Sequence, residues 1–194
     1  MRSASRVRQT KETSIRLSLA LDGAPNVRIE TGVVMLDHLL GQFAFHARAA
    51  LEIEARSLDA IRHHLIEDVA IVLGAALDDA LGDRSCIARY GEVTLPMDDA
   101  LVRAAVDLGG RVYARSSLDL RCERIEDLET VMIAHVIGSL AANARASVHV
   151  DRLAGEDPHH IAEAAFKALG RAFSRAWSLD PRFDGVASTK GVLR

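Results

Sequence analysis

Polar and apolar positions alternate along Ser14-Ile15-Arg16-Leu17-Ser18-Leu19, the period of a strand with one buried face. Asp22-Gly23 and Pro25-Asn26 supply a turn, and Val27-Arg28-Ile29 resumes the alternation, so roughly the first 30 residues predict two antiparallel strands joined by a short loop. The period then changes. From Val34 to about Ala47, the residues Leu36, Leu39, Leu40 and Phe43 share one stripe at helical spacing. Leu51-Glu52-Ile53-Glu54-Ala55 returns to the strand period, and a helix from about Arg62 to Leu81, closed by Gly82, follows. Beyond it, residues 93–95, 100–108 and 111–118 predict strands, with Pro96-Met97-Asp98-Asp99 and Gly109-Gly110 as turns. Residues 126 to about 144 predict a helix and 147–150 a short strand. Gly155-Glu156-Asp157-Pro158 opens a last helix, and Pro181 lies beyond its end.

The order strand, strand, helix, strand, helix thus occurs twice, and the residues repeat with it. An offset of 97 places His38-Leu39-Leu40-Gly41 on His135-Val136-Ile137-Gly138, and Ala47-Arg48-Ala49 on Ala144-Arg145-Ala146. After a one-residue deletion, an offset of 96 places His63-His64-x-x-Glu67 on His159-His160-x-x-Glu163, and Leu73-Gly74-x-Ala76 on Leu169-Gly170-x-Ala172. The chain reads as a duplicated half. The fold class expected is α+β: one domain of two repeats, about 1–95 and 96–194, each with a four-stranded sheet, the two sheets packed together with helices on their outer faces.

The repeat gathers six of the eight histidines: His38, His63, His64, His135, His159 and His160. On a helix turning about 100° per residue, positions i and i+4 lie about 40° apart, so His63 with Glu67, and His159 with Glu163, can each chelate one cation. His64 and His160 point to the side. Imidazole with carboxylate suits a borderline divalent ion such as manganese, iron, cobalt, nickel or zinc. One self-consistent partition puts His38, His64, His159 and Glu163 on one metal and His135, His160, His63 and Glu67 on the other; exchanging the halves interconverts the sets. Such a set leaves room for water or substrate on a six-coordinate ion. Read singly, His46 and His149 are packing or supporting residues.

Composition narrows the class of partner. The net charge of -3, from 24 basic and 27 acidic residues, gives no global attraction to nucleic acid or membrane. Cys86 and Cys122 have no Cys-x-x-Cys spacing, which argues against a thiolate site and for a reducing compartment. No apolar run reaches the ~18 residues of a membrane span, and the N-terminus does not read as a signal, so a soluble cytoplasmic protein is expected.

Together with the paired His-His-x-x-Glu helices, several stretches carry a family resemblance: Lys11-Glu12-Thr13, Leu36-Asp37-His38-Leu39-Leu40, Arg89-Tyr90-Gly91, Pro96-Met97-Asp98-Asp99-Ala100-Leu101, Asp107-Leu108-Gly109-Gly110-Arg111, Phe166-Lys167-Ala168-Leu169 and Ser188-Thr189-Lys190-Gly191. In order and over nearly the whole chain, they resemble the imidazoleglycerol-phosphate dehydratases of histidine biosynthesis. The resemblance implies conversion of imidazoleglycerol phosphate to imidazole acetol phosphate plus water, with two Mn2+ per subunit and no organic cofactor. It implies a metal-stabilised imidazolate whose electrons help expel the hydroxyl. Glu12 and Asp98 are the residues it offers for proton transfer, with Glu67 and Glu163 also counted as catalytic. Arg89, Arg111, Lys167, Ser188 and Lys190 are implied to surround the phosphate, and Gln42, His46, Thr189 and Glu12 to contact substrate as well. It further implies a homo-oligomer of about 24 subunits with sites between subunits. Two other classes stay open, another binuclear metalloenzyme acting on a phosphorylated small molecule and a non-catalytic relative assembled by metal.

The chain departs from the family in three places. Arg62-His63-His64-Leu65 stands where Asp-His-His-Thr is usual, Ala44-Phe45-His46-Ala47 where Ala-Arg-His-Gly is usual, and Ala187-Ser188-Thr189-Lys190 where Pro-Ser-Thr-Lys is usual.

Overall fold

The computed structural model describes residues 1–182 and 184–193. The first half runs β1 (Ser3–Gln9), β2 (Thr13–Ala20), β3 (Val27–Glu30), α1 (Val34–Ala47), β4 (Ala50–Ser57) and α2 (Arg62–Leu81). The second runs β5 (Tyr90–Met97), β6 (Ala100–Asp107), β7 (Tyr113–Ser117), a small hairpin of β8 (Arg124–Ile125) and β9 (Leu128–Glu129), then α3 (Thr130–Asn143), β10 (Ser147–Ala154) and α4 (Pro158–Trp177). The sheets have the same order, β1-β2-β4-β3 and β5-β6-β10-β7, so the duplication extends to topology.

In both sheets the third strand differs from the expected pairing. β2 does not form a hairpin with β3; it pairs antiparallel with β1 and β4, while β3 runs parallel to β4. The reason lies in α1, which separates β3 from β4: a strand that returns through a helix comes back parallel to the one before it. β1 escapes the hydrophobic pattern because most of Ser3–Gln9 is exposed at a sheet edge.

The central strands bury alternate residues, Ile15, Leu17 and Leu19 on β2 and Val102, Ala104 and Val106 on β6, all at most 4% exposed. These buried faces look inward onto helices. α2 packs on β1, β2 and β4, and α4 on β5 and β6; helices of the two halves then pack against each other, α1 on α4 and α2 on α3. The expected placing of helices on the outer faces is therefore corrected: all four lie between the sheets. The outer sheet faces carry residues such as Arg16, Glu52, Glu54 and Arg56 instead, and charge has no counterpart in a dry helix interface.

Close helix contact depends on two repeat-related glycines. A Cβ at Gly74 would stand 2.6 Å from the Leu140 carbonyl, and one at Gly170 would stand 2.3 Å from the Phe43 carbonyl. At the second crossing Phe43 meets Phe173 edge-on, with centroids 5.7 Å apart. No helix among the described residues is long and apolar enough to cross a membrane.

Candidate metal centres

Each helix crossing between the halves carries one cluster. Where α1 meets α4, His38 Nε2 lies 2.9 Å and His159 Nε2 3.3 Å from the same Glu163 oxygen. Where α2 meets α3, His63 Nε2 lies 3.6 Å from one Glu67 oxygen and His135 Nε2 3.4 Å from the other. In each cluster one ligand atom from every residue falls within 4.8 Å of the others. One detail favours a cation in the second: His135 Nε2 is buried and makes no hydrogen bond, although Glu67 lies 3.4 Å from it. A buried ring nitrogen left unpaired costs free energy unless another group takes its lone pair. Two imidazoles and a carboxylate are a donor set that fits a divalent transition metal.

Glu163 is 7% exposed, and its second oxygen takes Lys167 Nζ at 2.8 Å. Burial pushes its carboxyl up, but Lys167 and His38 prevail and hold it down to about 2. At the head of α4, Asp157 caps the helix by accepting from the His159 and His160 amides, which fixes the turn bearing both histidines.

His64 and His160 do not join the clusters to which the repeat assigned them. The four-residue sets are thus not assembled within one chain: three members converge in each, and the fourth is held elsewhere. His64 Nδ1 lies 2.6 Å from Asp59 and 3.9 Å from Glu12, and these three form a separate group. His160 Nδ1 lies 2.7 Å from Asp99, with Nε2 3.6 Å from Asp98. An ionised carboxylate only accepts, so Nδ1 donates to it and Nε2 stays available as a ligand. The Asp59 and Asp99 hydrogen bonds raise the two imidazole pKa values against a smaller opposing effect of burial. Glu12 and Asp98 therefore occupy comparable places, each in the loop after the first strand of its half and beside a sideways histidine.

The cationic residues divide between two regions. Arg89, Arg111, Ser188, Thr189 and Lys190 line one cleft of about 820 Å³, with no acidic side chain among its described lining residues. Arg89 is nearly buried in its wall: Nε and Nη2 donate to Asp107 at 2.7 and 3.1 Å, and Nη1 to the Ala187 carbonyl at 2.8 Å. It ties the 187–190 segment to β6. Lys167 is not in this cleft; it belongs to the Glu163 cluster. His46 lines a second depression with Arg48, Arg171 and Arg175, and burial, then Lys167 and Arg171, lower its pKa. Gln42 lies half-buried on α1, one turn beyond His38.

Three carboxylates that bond a candidate site histidine or the start of a helix bearing one have no role in the sequence reading. Asp59 precedes His64 by five residues, across the start of α2, a spacing that has no helical signature. Asp99 stood within a recognised motif, but its partner His160 is 61 residues away. Asp127, in the β8–β9 turn, accepts from the first amides of α1. Burial raises its pKa, but those bonds and the Arg62 charge outweigh it and leave it lowered.

A family model described as imidazoleglycerol-phosphate dehydratase matches residues 31–173. The imidazoleglycerol-phosphate dehydratase of Moorella thermoacetica is 46% identical over 187 residues, covering 96% of this chain and 95% of that one. That of Metallosphaera sedula is 45% identical over 193 residues, with 99% of each chain covered. A crystal structure of the Pyrococcus furiosus enzyme superposes with a TM-score of 0.84 at 38% identity, covering 97% of this chain and 100% of that chain. One from Staphylococcus aureus gives 0.82 at 33%, covering 91% and 99%. Fold and relatives together make the protein a hydro-lyase, a carbon–oxygen lyase that removes water. Within that class, the chain belongs to the imidazoleglycerol-phosphate dehydratase family, which acts in histidine biosynthesis.

Proposed function

We propose that the chain converts imidazoleglycerol phosphate to imidazole acetol phosphate and water at two manganese centres, each built on one of the inter-half clusters. The observation that carries this reading is the pair of His–His–Glu clusters at equivalent helix crossings, one containing a buried imidazole nitrogen that makes no hydrogen bond. His38, His159 and Glu163 would hold one ion and His63, Glu67 and His135 the other. His64 and His160, which stand outside their own chain's clusters with Nδ1 held by an aspartate, would complete the centres of neighbouring copies in a homo-oligomer of about 24 subunits.

When bound, the metal supplies Lewis acidity toward the substrate imidazole and fixes the ring in place. The protein's own residues do the remaining work. Arg111, Lys190 and the Ser188 hydroxyl bind the phosphate in the basic cleft, and Arg89 holds that cleft's wall rigid through Asp107 and Ala187. Lys167, Gln42 and His46 lie on the α1–α4 side and would meet substrate from there, with Thr189 on the cleft side. Dehydration removes one proton from carbon, expels the neighbouring hydroxyl with a second proton as water, and leaves an enol that becomes the ketone. Glu12 and Asp98 are assigned to those proton transfers, because each stands beside a sideways histidine. Glu67 and Glu163 act as ligands, the latter kept ionised by Lys167. The reaction needs no organic cofactor and suits the cytoplasm.

The test is an assay of purified protein with imidazoleglycerol phosphate before chelation, after chelation and after Mn2+ is restored. Formation of imidazole acetol phosphate that is lost and recovered with metal is expected. Metal-loaded protein that forms no ketone, or that releases inorganic phosphate instead, overturns the reading.

A further inference from the structure

Asp127 belongs to the second half of the chain but touches the starts of two helices of the first. α1 has Val33 at its N-cap position and no side-chain cap of its own. The first amides of a helix lack intrahelical acceptors and need other partners. Val34 N and Met35 N find them in Asp127 Oδ2 and Oδ1, each at 2.9 Å. α2 also starts without a side-chain cap, after Ile61. Its first residue, Arg62, donates from Nη1 to the Asp127 carbonyl at 3.0 Å and lies 3.8 Å from the carboxylate. α3 begins three residues after Asp127, at Thr130.

These three helices carry His38, His63 with Glu67, and His135, which are four of the six residues in the two clusters. Metal–ligand distances tolerate only about 0.2 Å of error, so small shifts of a helix along or about its axis matter at the ligand atom. The repeat does not explain this residue. Its counterpart 97 positions earlier is Glu30, whose carboxylate pairs with Arg28 at 3.0 Å in an exposed setting. Arg62, one of the chain's departures from its family, makes the contact to α2.

We propose that Asp127 is a positioning residue for both metal centres, joining the starts of α1 and α2 to the approach of α3 so that the inward ligands of the two halves converge. The proposal rests on the metal-dependent reading above. It assigns Arg62 the lesser share, since that side chain is more than half exposed and its ion pair is screened.

The test compares the full chain with Asp127→Ala, Asp127→Asn and Arg62→Ala, following free Mn2+ by electron paramagnetic resonance well below each variant's melting temperature. Asp127→Ala is expected to bind Mn2+ about 10-fold more weakly, the lower end for loss of a group supporting metal ligands. Asn offers one acceptor oxygen where Asp127 uses two, so Asp127→Asn keeps one of the two amide bonds and should fall between the wild-type chain and Asp127→Ala. Arg62→Ala should lose less than Asp127→Ala. A purely stabilising role would lower the melting temperature of Asp127→Ala and leave its Mn2+ affinity unchanged, and that result overturns the proposal. Amide hydrogen exchange of the metal-free chain supplies a separate reading. Exchange at Val34, Met35 and the first turn of α2 should quicken in Asp127→Ala. Unchanged exchange at both helix starts refutes the clamp, whereas failure of the wild-type chain to bind Mn2+ refutes the metal-dependent function.

Discussion

Glu163 meets two imidazoles through one oxygen and an ammonium through the other, while almost none of it is exposed. A carboxylate in that position depends on its cation. Its folded pKa of about 2 lies below the ordinary 4.5, so its stabilising contribution is complete above about pH 4.5 and is lost as pH falls toward 2. Lys167→Met removes the main group that opposes burial. The variant's acid unfolding midpoint, followed by circular dichroism on metal-free protein, should rise by roughly one pH unit. An unchanged midpoint would separate Lys167 from the cluster. At this scale the histidines were legible because their spacing is local and occurs twice. Asp59, Asp99 and Asp127 were not, because each works on a neighbour that the fold delivers across a loop or from the other half. Lys167 is a different case: it stands four residues after Glu163 on α4, a local spacing, but its resemblance-based place was beside the phosphate and not beside that carboxylate.

At the scale of elements, the two centres exist only where helices from different halves cross closely. Gly170 marks one such point, since any Cβ there collides with the Phe43 backbone, and backbone cannot step aside as a side-chain end can. Gly170→Ala is expected to push α4 from α1 at the cost of about 2 kcal/mol, lowering the melting temperature by roughly 5 °C. It should also weaken Mn2+ binding. Gly41, on α1, has nothing within 4 Å of an added Cβ. Gly41→Ala should instead raise the melting temperature, by an amount corresponding to at most about 1 kcal/mol. Equal losses from both changes would show that helix propensity, and not close approach, governs. The helices themselves were legible: α1 and α2 begin and end where the sequence placed them, on an apolar stripe for α1 and with Gly82 closing α2. Pairing was less so. Alternation marks a strand's buried face but does not name its neighbour, so β2 was joined to β3, and the exposed β1, lacking an apolar face, was missed.

For the whole molecule, the duplication has a consequence that neither half shows alone. Each cluster draws its histidines from both halves, so a single half cannot complete even the three residues that meet within the chain. The placing of helices between the sheets, and not on the outer faces expected from the repeat, is what brings those halves into contact. His64 and His160 stand outside those clusters, each oriented by an aspartate at Nδ1. Under the proposed arrangement they serve neighbouring copies, and this can be separated from a within-chain role by mixing variants. His38→Ala and His64→Ala chains should each be inactive alone. Dissociated by chelation, combined and reassembled with Mn2+, they should regain part of the dehydratase activity, because some centres then receive His38 from one chain and His64 from another. If both ligands must come from the same chain, no mixture can restore such a centre, and reassembled mixtures should remain as inactive as the separate variants.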